Sequence, residues 1–558
     1  MRDALPKIVI VGLLVLIVGV PIVLKPAGGA DASRVEADEQ HRLVVFTPHN
    51  EQIRHEIAIA YNKHRLSSGL APVQFDWRSP GGTGDIRKSI LSQYEAIVSR
   101  GDSLDDGIGA DLFFGGGDYD HGKVASGVEV ERDGQEIDLR IVDDPEIPAE
   151  LMASVFPAER IGGERLYRRY TFVEEGQDKT YLGWTGVTLS SFGIVYNRDV
   201  LRLLKIGNWV GGFDPTLPAD EQESALPEFI VVAPTTWADL TDARYLGWVA
   251  LADPSHSGSI TATFNAVLRR EGWDEGWHTL RRVFANARYF ATSSDKIPVD
   301  VSKGDAAVGM CIDFYGRYQS GMIGGDRLGY VDPIIDGKSM TATTADPVTL
   351  LRGAPHKELA QHFIHWLLSI EAQGVWQRRL DSTAAGMDPP DKYELRRQPI
   401  RQDIYTDEQR VTWTDPEINP YPTAFPFPDG TPDYYGIIAV TTQAMAIDTH
   451  DDLIAAWKAV IEAKKSGHPN LSKMLDLFDA MPEPLTLTWP SQEIAQNWEA
   501  IQADPSHPDH AQVVETLNAW GDKLDKMSKD SEQMEINRIR WRSFFQDNYR
   551  AIVRLGKE

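Results

Sequence analysis

The stretch VVFTPHNEQIRHEI, residues 44–57, decides how the rest of the chain is read. A β-branched and aromatic run stops at Pro48, and His49, Asn50 and Glu51 follow it. Ile53 and Ile57 then take up helical spacing, so this is the passage of a strand into a helix. Asn50 suits an N-cap and Glu51 suits the positive end of a helix dipole. Capping does not explain His49. It stands at the carboxyl end of a strand, where α/β folds hold their ligands.

The same rhythm continues outward. LVVF is followed by a helix over 50–65, VQFDW (73–77) by a helix from about 85, and ADLFFGG (110–116) by an acidic, turn-rich region over 120–180. Within that region VERDGQEIDLRI reads as a hairpin around Asp133-Gly134. Strand-like runs resume at FGIVYN (192–197), WVALADP (248–254) and AAVGMCI (306–312). LAQHFIHWLLS (359–369) places apolar residues at 359, 363, 366 and 367, a core-facing helical stripe. This alternation predicts an α/β fold with largely parallel sheets. After about 400 the texture changes: residues 415–435 are rich in Pro, Asp and Tyr, and 436–558 read as several helices. Their tryptophans at 457, 498, 520 and 541 read as core.

A chain of 558 residues exceeds a single core and predicts several domains. Its 82 acidic against 56 basic residues give −26, which argues against a nucleic-acid backbone as the main partner. Cys311 is the only cysteine, so no intrachain disulfide can form. Residues 8–24, IVIVGLLVLIVGVPIVL, carry no polar side chain and are flanked by Arg2, Lys7 and Lys25. That segment reads as a signal peptide or a single N-terminal anchor, with the remainder exported.

Three further stretches carry candidate chemistry. In RSPGGTGDIRKSI (78–90) the glycines allow a tight turn, and amides at Gly82 and Thr83 with the Asp85 carboxylate open a helix. The Gly-Lys-Ser/Thr ending of a nucleotide-binding loop is missing. In LADPSHSGSI (251–260), Ser257, Gly258 and Ser259 offer hydroxyls and amides for an oxyanion. No Gly-x-Ser-x-Gly elbow turns Ser257 into a hydrolase nucleophile. In GMCIDFYGRYQ (309–319), Asp313 and Tyr315 follow a buried strand, and their oxygens are hard donors suited to a hard cation. The plain alternatives are a glycine turn, serine caps and a packed tyrosine.

Taken in order, WRSPGGTGD, ADLFFGG, GIVYN, PTTWADL (234–240), ADPSHSGS, KGDAAVG and DPVTLLRGAPHKELAQHFIHWLLS (346–369) resemble the ferric-iron-type extracellular solute-binding proteins of ABC importers. The resemblance covers roughly 42–400. It implies a type II periplasmic-binding-protein fold, two α/β lobes closing on a ligand cleft, here with a mainly helical C-terminal extension. The implied division is 1–32 signal peptide or membrane anchor, 42–118 first part of lobe 1, and 119–320 lobe 2 with an inserted acidic hairpin region. Residues 321–400 are then the return to lobe 1 and crossover, and 401–558 the helical extension.

The resemblance also implies residue roles. His49 falls near the family's metal-binding histidine and Asp85 near its acidic ligand. Phe314 and Tyr315 align with an adjacent tyrosine pair, of which only the second is kept here. Ser257, Gly258 and Ser259 match the loop that holds a synergistic anion, and Ser293 falls where an anion-binding asparagine is common. Gly82, Thr83, Asn50 and Asp313 complete the expected ligand and anion contacts. The leading expectation is therefore a periplasmic or otherwise extracytoplasmic carrier, not an enzyme. It binds ferric iron with phosphate or carbonate and docks on an ABC permease. The alternatives are an organic phosphate, phosphonate or thiamine in the same cleft, or a ligand-sensing receptor module. A metal-assisted hydrolase built on His49, Asp85 and Asp313 is the enzymatic alternative, and no His-Glu-x-x-His motif supports it.

Overall fold

The computed structural model describes residues 41–132, 135–174, 176–210, 228–382, 388–428 and 431–558. The expectation for residues 1–32 lies outside these, as does the turn at Asp133-Gly134. Among the described residues no helix is long and apolar enough to cross a membrane.

The opening stretch folds as its pattern requires. Strand β1 (Arg42–Phe46) is apolar on both faces and buried. Asn50 caps helix α1 (Glu51–Ser67), its Oδ1 accepting from the Ile53 amide at 3.2 Å. Ile53, Ile57 and Tyr61 turn one face of α1 into the core. Next come β2 (Gln74–Arg78), α2 (Thr83–Arg100), β3 (Leu112–Phe114) and α3 (Asp118–Ala125). Val128–Arg132 pairs with Gln135–Leu139 as an antiparallel hairpin. Two long strands, β4 (Tyr167–Glu174) and β5 (Gln177–Ser190), then pair antiparallel.

After Ser191 the chain enters a second sheet with β6 (Phe192–Asn197) and β7 (Val249–Ala252). Helices α4 (Gly258–Glu271) and α5 (Trp273–Ala285) lead to β8 (Ala287–Ala291) and α6 (Lys296–Lys303). Strand β9 (Val308–Ile312), α7 (Asp313–Ile323) and β10 (Leu328–Val331) complete this lobe. The chain returns through β11 (Thr344–Leu350), α8 (Lys357–Leu367) and β12 (Gln398–Pro399).

The first sheet has the order β2-β1-β3-β11-β5-β12, with β4 beside β5. The second has the order β8-β7-β9-β6-β10. In each, three parallel strands meet an antiparallel strand that has come from the other lobe. The shared order defines two matching α/β lobes joined by crossover strands, the type II periplasmic-binding-protein fold.

Two of the expected boundaries move. Residues 119–190 belong to the first lobe, because β5 is hydrogen-bonded to β11 and β12 along the first sheet. Residues 328–331 remain in the second lobe, paired with β6, so the return begins at β11. The helical extension is α9 (Tyr435–Thr442), α10 (His450–Ser466), α11 (Leu471–Asp479), α12 (Gln492–Ala503), α13 (His510–Lys529) and α14 (Ser531–Leu555). It is built into the second lobe: Ile437, Trp457, Phe478, Trp541 and Phe545 share one buried cluster with Phe264, Trp277 and Phe284. Trp520 joins them, while Trp498 is half-buried and stacks on Trp489 with centroids 5.7 Å apart.

Candidate functional site

The carboxyl ends of the parallel strands and the starts of their helices converge between the lobes on a cavity of about 420 Å³. From the first lobe come His49 after β1, Gly82, Thr83 and Asp85 at the start of α2, and Gly116 after β3. From the second come Ser257, Gly258 and Ser259 at the start of α4, the Thr292–Asp295 loop after β8, and Phe314 and Tyr315 on α7. Asp346 of β11 and Arg397 beside β12 form the floor. The size is that of a small-molecule ligand site.

The lobes are closed on each other. A Cβ placed on Gly82 would lie 2.1 Å from the His256 carbonyl oxygen across the mouth. Gly116 is glycine for two reasons: its φ is +109°, and a Cβ there would meet the Thr83 methyl.

The floor is a buried charged cluster. The Arg397 guanidinium pairs with Asp346 Oδ2, and His49 Nε2 lies 2.9 Å from the same oxygen. Arg397 also reaches Ser190 Oγ at 2.8 Å and lies over the Phe314 ring at 4.2 Å. Burial opposes ionisation of Asp346, but Arg397 and His49 outweigh it and hold the carboxyl at about 2. Burial likewise lowers the His49 imidazole, against the pull of Asp346, so His49 is neutral and Asp346 charged. Its Nε2 is therefore engaged, while Nδ1 has no hydrogen-bond partner.

The two cavity carboxylates of the rim are also engaged. Asp85 Oδ2 accepts from the Gly82 amide at 3.2 Å in a capping interaction, and Asp295 Oδ1 accepts from Ser293 Oγ at 2.5 Å. Ser257 Oγ accepts from the Ile260 amide and caps α4. Burial raises the Tyr315 phenol, so it is protonated at neutral pH.

Of the residues expected from sequence, His49, Gly82, Thr83, Asp85, Ser257, Gly258, Ser259, Ser293 and Tyr315 line the cavity. Two do not. The Asn50 side chain is turned back to cap α1. The Asp313 carboxylate is buried beneath α7, 3.3 Å from Ser191 Oγ and 3.5 Å from Arg317. Sequence reading missed Asp346 and Arg397. A lone carboxylate in the otherwise buried strand 344–350 was a usable signal for Asp346. Arg397 had none, because its partners lie far away in the chain. Among the described residues no group of three or more His, Cys, Asp or Glu could hold a metal ion.

A cleft between two matched lobes, walled by helix starts and closed over a polar floor, is a geometry that can enclose a small solute. Residues 164–406 match the family model of the bacterial extracellular solute-binding proteins. Residues 164–406 are thus similar to an extracellular solute-binding domain. Over 191 residues the chain is 26% identical to the phosphoglycerate transport regulatory protein PgtC of Salmonella typhimurium, covering 34% of this chain and 39% of that protein. It therefore spans about two fifths of the length of the curated relatives it matches. Solved structures similar to it include AfuA from Actinobacillus pleuropneumoniae with fructose-6-phosphate bound. That match has a TM-score of 0.42 at 17% identity, over 75% of this chain and 97% of that one. Iron-bound HitA from Pseudomonas aeruginosa has a TM-score of 0.39 at 18% identity, over 63% of this chain and 89% of that one.

Proposed function

We propose that this chain is the extracytoplasmic binding component of an ABC importer, and that its ligand is a small phosphorylated organic anion. The observation that carries this reading is the wall of the cleft. The starts of α2 and α4, from opposite lobes, bring backbone amides and the hydroxyls of Thr83, Ser257 and Ser259 to one cavity, with Arg397 at its floor. Helix starts favour negative charge and supply unpaired N–H donors. Phe314, which aligns with a tyrosine of the iron-type proteins, packs under Arg397 here. The likeness to a phosphoglycerate transport regulatory protein points the same way. The ligand bridges the lobes and stabilises the closed form, which docks on a membrane permease.

Ferric iron is the second reading, favoured by the presence of His49, Asp85 and Tyr315 on one cavity. It requires Asp85 to leave its cap and Tyr315 to lose a proton held by burial. Thermal unfolding of residues 33–558 separates the two. The panel is 3-phosphoglycerate, fructose 6-phosphate, inorganic phosphate, and ferric iron with phosphate or carbonate. A phosphate ester at a hundred times its Kd should stabilise by about 2.7 kcal/mol, with Tyr315→Phe leaving that shift nearly unchanged. A coloured ferric complex that Tyr315→Phe abolishes would overturn the anion reading.

A further inference from the structure

The C-terminal extension reaches the first lobe beside the cleft, where Asp433, Asp525 and Ser528 line a cavity with Tyr119. Tyr435, the first residue of α9, stacks on Tyr119 of α3 with centroids 4.1 Å apart and planes inclined by 23°. Tyr119 is held in place by cations of its own lobe, Arg87 at 5.6 Å and Lys123 at 5.4 Å from its ring. The Tyr435 hydroxyl donates to the Gly258 carbonyl at 3.2 Å. Gly258 both opens α4 and lines the cavity. A Cβ on Gly258 would lie 3.0 Å from that hydroxyl, 3.3 Å from Asp120 Oδ2 and 3.6 Å from the Thr83 Cβ. One phenol thus stands where the second lobe's anion loop meets the first lobe's α2 and α3. Asp120 is itself buried and fastened to Arg87 Nε at 3.1 Å, so the first-lobe side of this contact is rigid.

The extension does not need Tyr435 for its own packing, because Tyr434, Ile437 and Ile438 already anchor α9 in the second lobe's core. Tyr119 is carried by a lobe with a separate core, whose sheet includes Phe113 and Phe114. Parting the lobes breaks the stack, whereas the anchor is unaffected. Contacts made only in the closed form shift the equilibrium toward it.

We propose that Tyr435 is a closure latch: a positioning residue that ties the extension to the first lobe when the cleft shuts and sets the Gly258 loop against the ligand. The affinity arm of its test rests on the cleft being the ligand site; the lobe-distance arm does not. An aromatic stack of this kind shifts the closed fraction roughly three- to tenfold.

The test uses residues 33–558 with spin labels at Glu95→Cys and Arg202→Cys, exposed positions on opposite lobes. Cys311 is buried and stays unlabelled. Tyr435→Ala and Tyr119→Ala should each add a longer interlobe distance and weaken 3-phosphoglycerate binding three- to tenfold. The double variant should be no worse than either single one, and Tyr119→Trp should restore the short distance. Tyr435→Phe, which keeps the stack, should retain the short distance and lose affinity only through the Gly258 loop. Distance distributions unchanged in both alanine variants, or additive losses in the double variant, would overturn the latch. If the wild type ignores 3-phosphoglycerate, the ligand reading fails, and the distances still decide the latch.

Discussion

Gly82 has φ −70° and ψ 176°, an extended conformation open to any residue. Its need for glycine comes only from the His256 carbonyl that closure brings against it. Gly82→Ala should therefore fold normally, with a midpoint of unfolding within about a degree or two of wild type, since alanine adopts this extended conformation without strain. The closed form, however, meets a clash of backbone against Cβ. The shift given by the best ligand of the panel should fall by at least half. A full ligand shift in Gly82→Ala would mean that the lobes do not close to this distance. At this scale the sequence was informative about types and weak about partners. His49 and the Ser257–Ser259 loop were legible because each follows a strand and precedes a helix. The pairing of His49 with Asp346 and Arg397 was not, because it joins three separate chain segments.

At the scale of elements, α7 illustrates how a helix start became a buried joint. Asp313 opens α7, and its amide donates to the Ser191 carbonyl at 3.0 Å, on the crossover between lobes. Its carboxylate faces Arg317 and Ser191, and Arg317 also grips Asp332 at 2.5 Å. Burial pushes Asp313 up to about 6, with Arg317 opposing and Asp332 adding to the rise. A carboxyl raised in the folded state favours the folded form while protonated. That advantage is complete below about pH 4 and is lost as pH climbs to about 6, on the order of 2–3 kcal/mol across the window. Asp313→Asn is neutral throughout and should remove this step. In urea denaturation the variant should gain on wild type by that amount between pH 4 and pH 7, and parallel curves would refute the assignment. Strands and helices were legible here because period-2 and period-3.6 patterns are local. Lobe membership was not: β5 and β10 look alike as strands, and only their hydrogen-bonded neighbours assign them to different sheets.

At the scale of the molecule, the second lobe depends on residues from the far end of the chain. Arg281 is fully buried on α5, and its guanidinium donates to the carbonyls of Phe478 and Ala480 in and after α11. Helix α14 adds Met534, Trp541, Phe545, Tyr549 and Ile552 to the same core. Each such side chain is worth about 2–5 kcal/mol on removal, against a total of about 5–15 kcal/mol for a domain. A chain ending at residue 530 should therefore keep the first lobe's unfolding transition and lose the second lobe's, with a dye for exposed apolar surface binding before any denaturant is added. Two intact transitions would show that the extension only covers a lobe that stands without it. The sequence pointed to core in those tryptophans, yet nothing in their spacing told which lobe they complete.

The order of synthesis turns that architecture into a matter of timing. The second lobe's core begins with Ile194 and is completed by Ile552. The ribosome must deliver almost the whole chain before that lobe can shut, whereas most of the first lobe's sheet emerges early and waits for its return strands β11 and β12. A protein assembled this way keeps its second lobe open until the residues of α14 have been made.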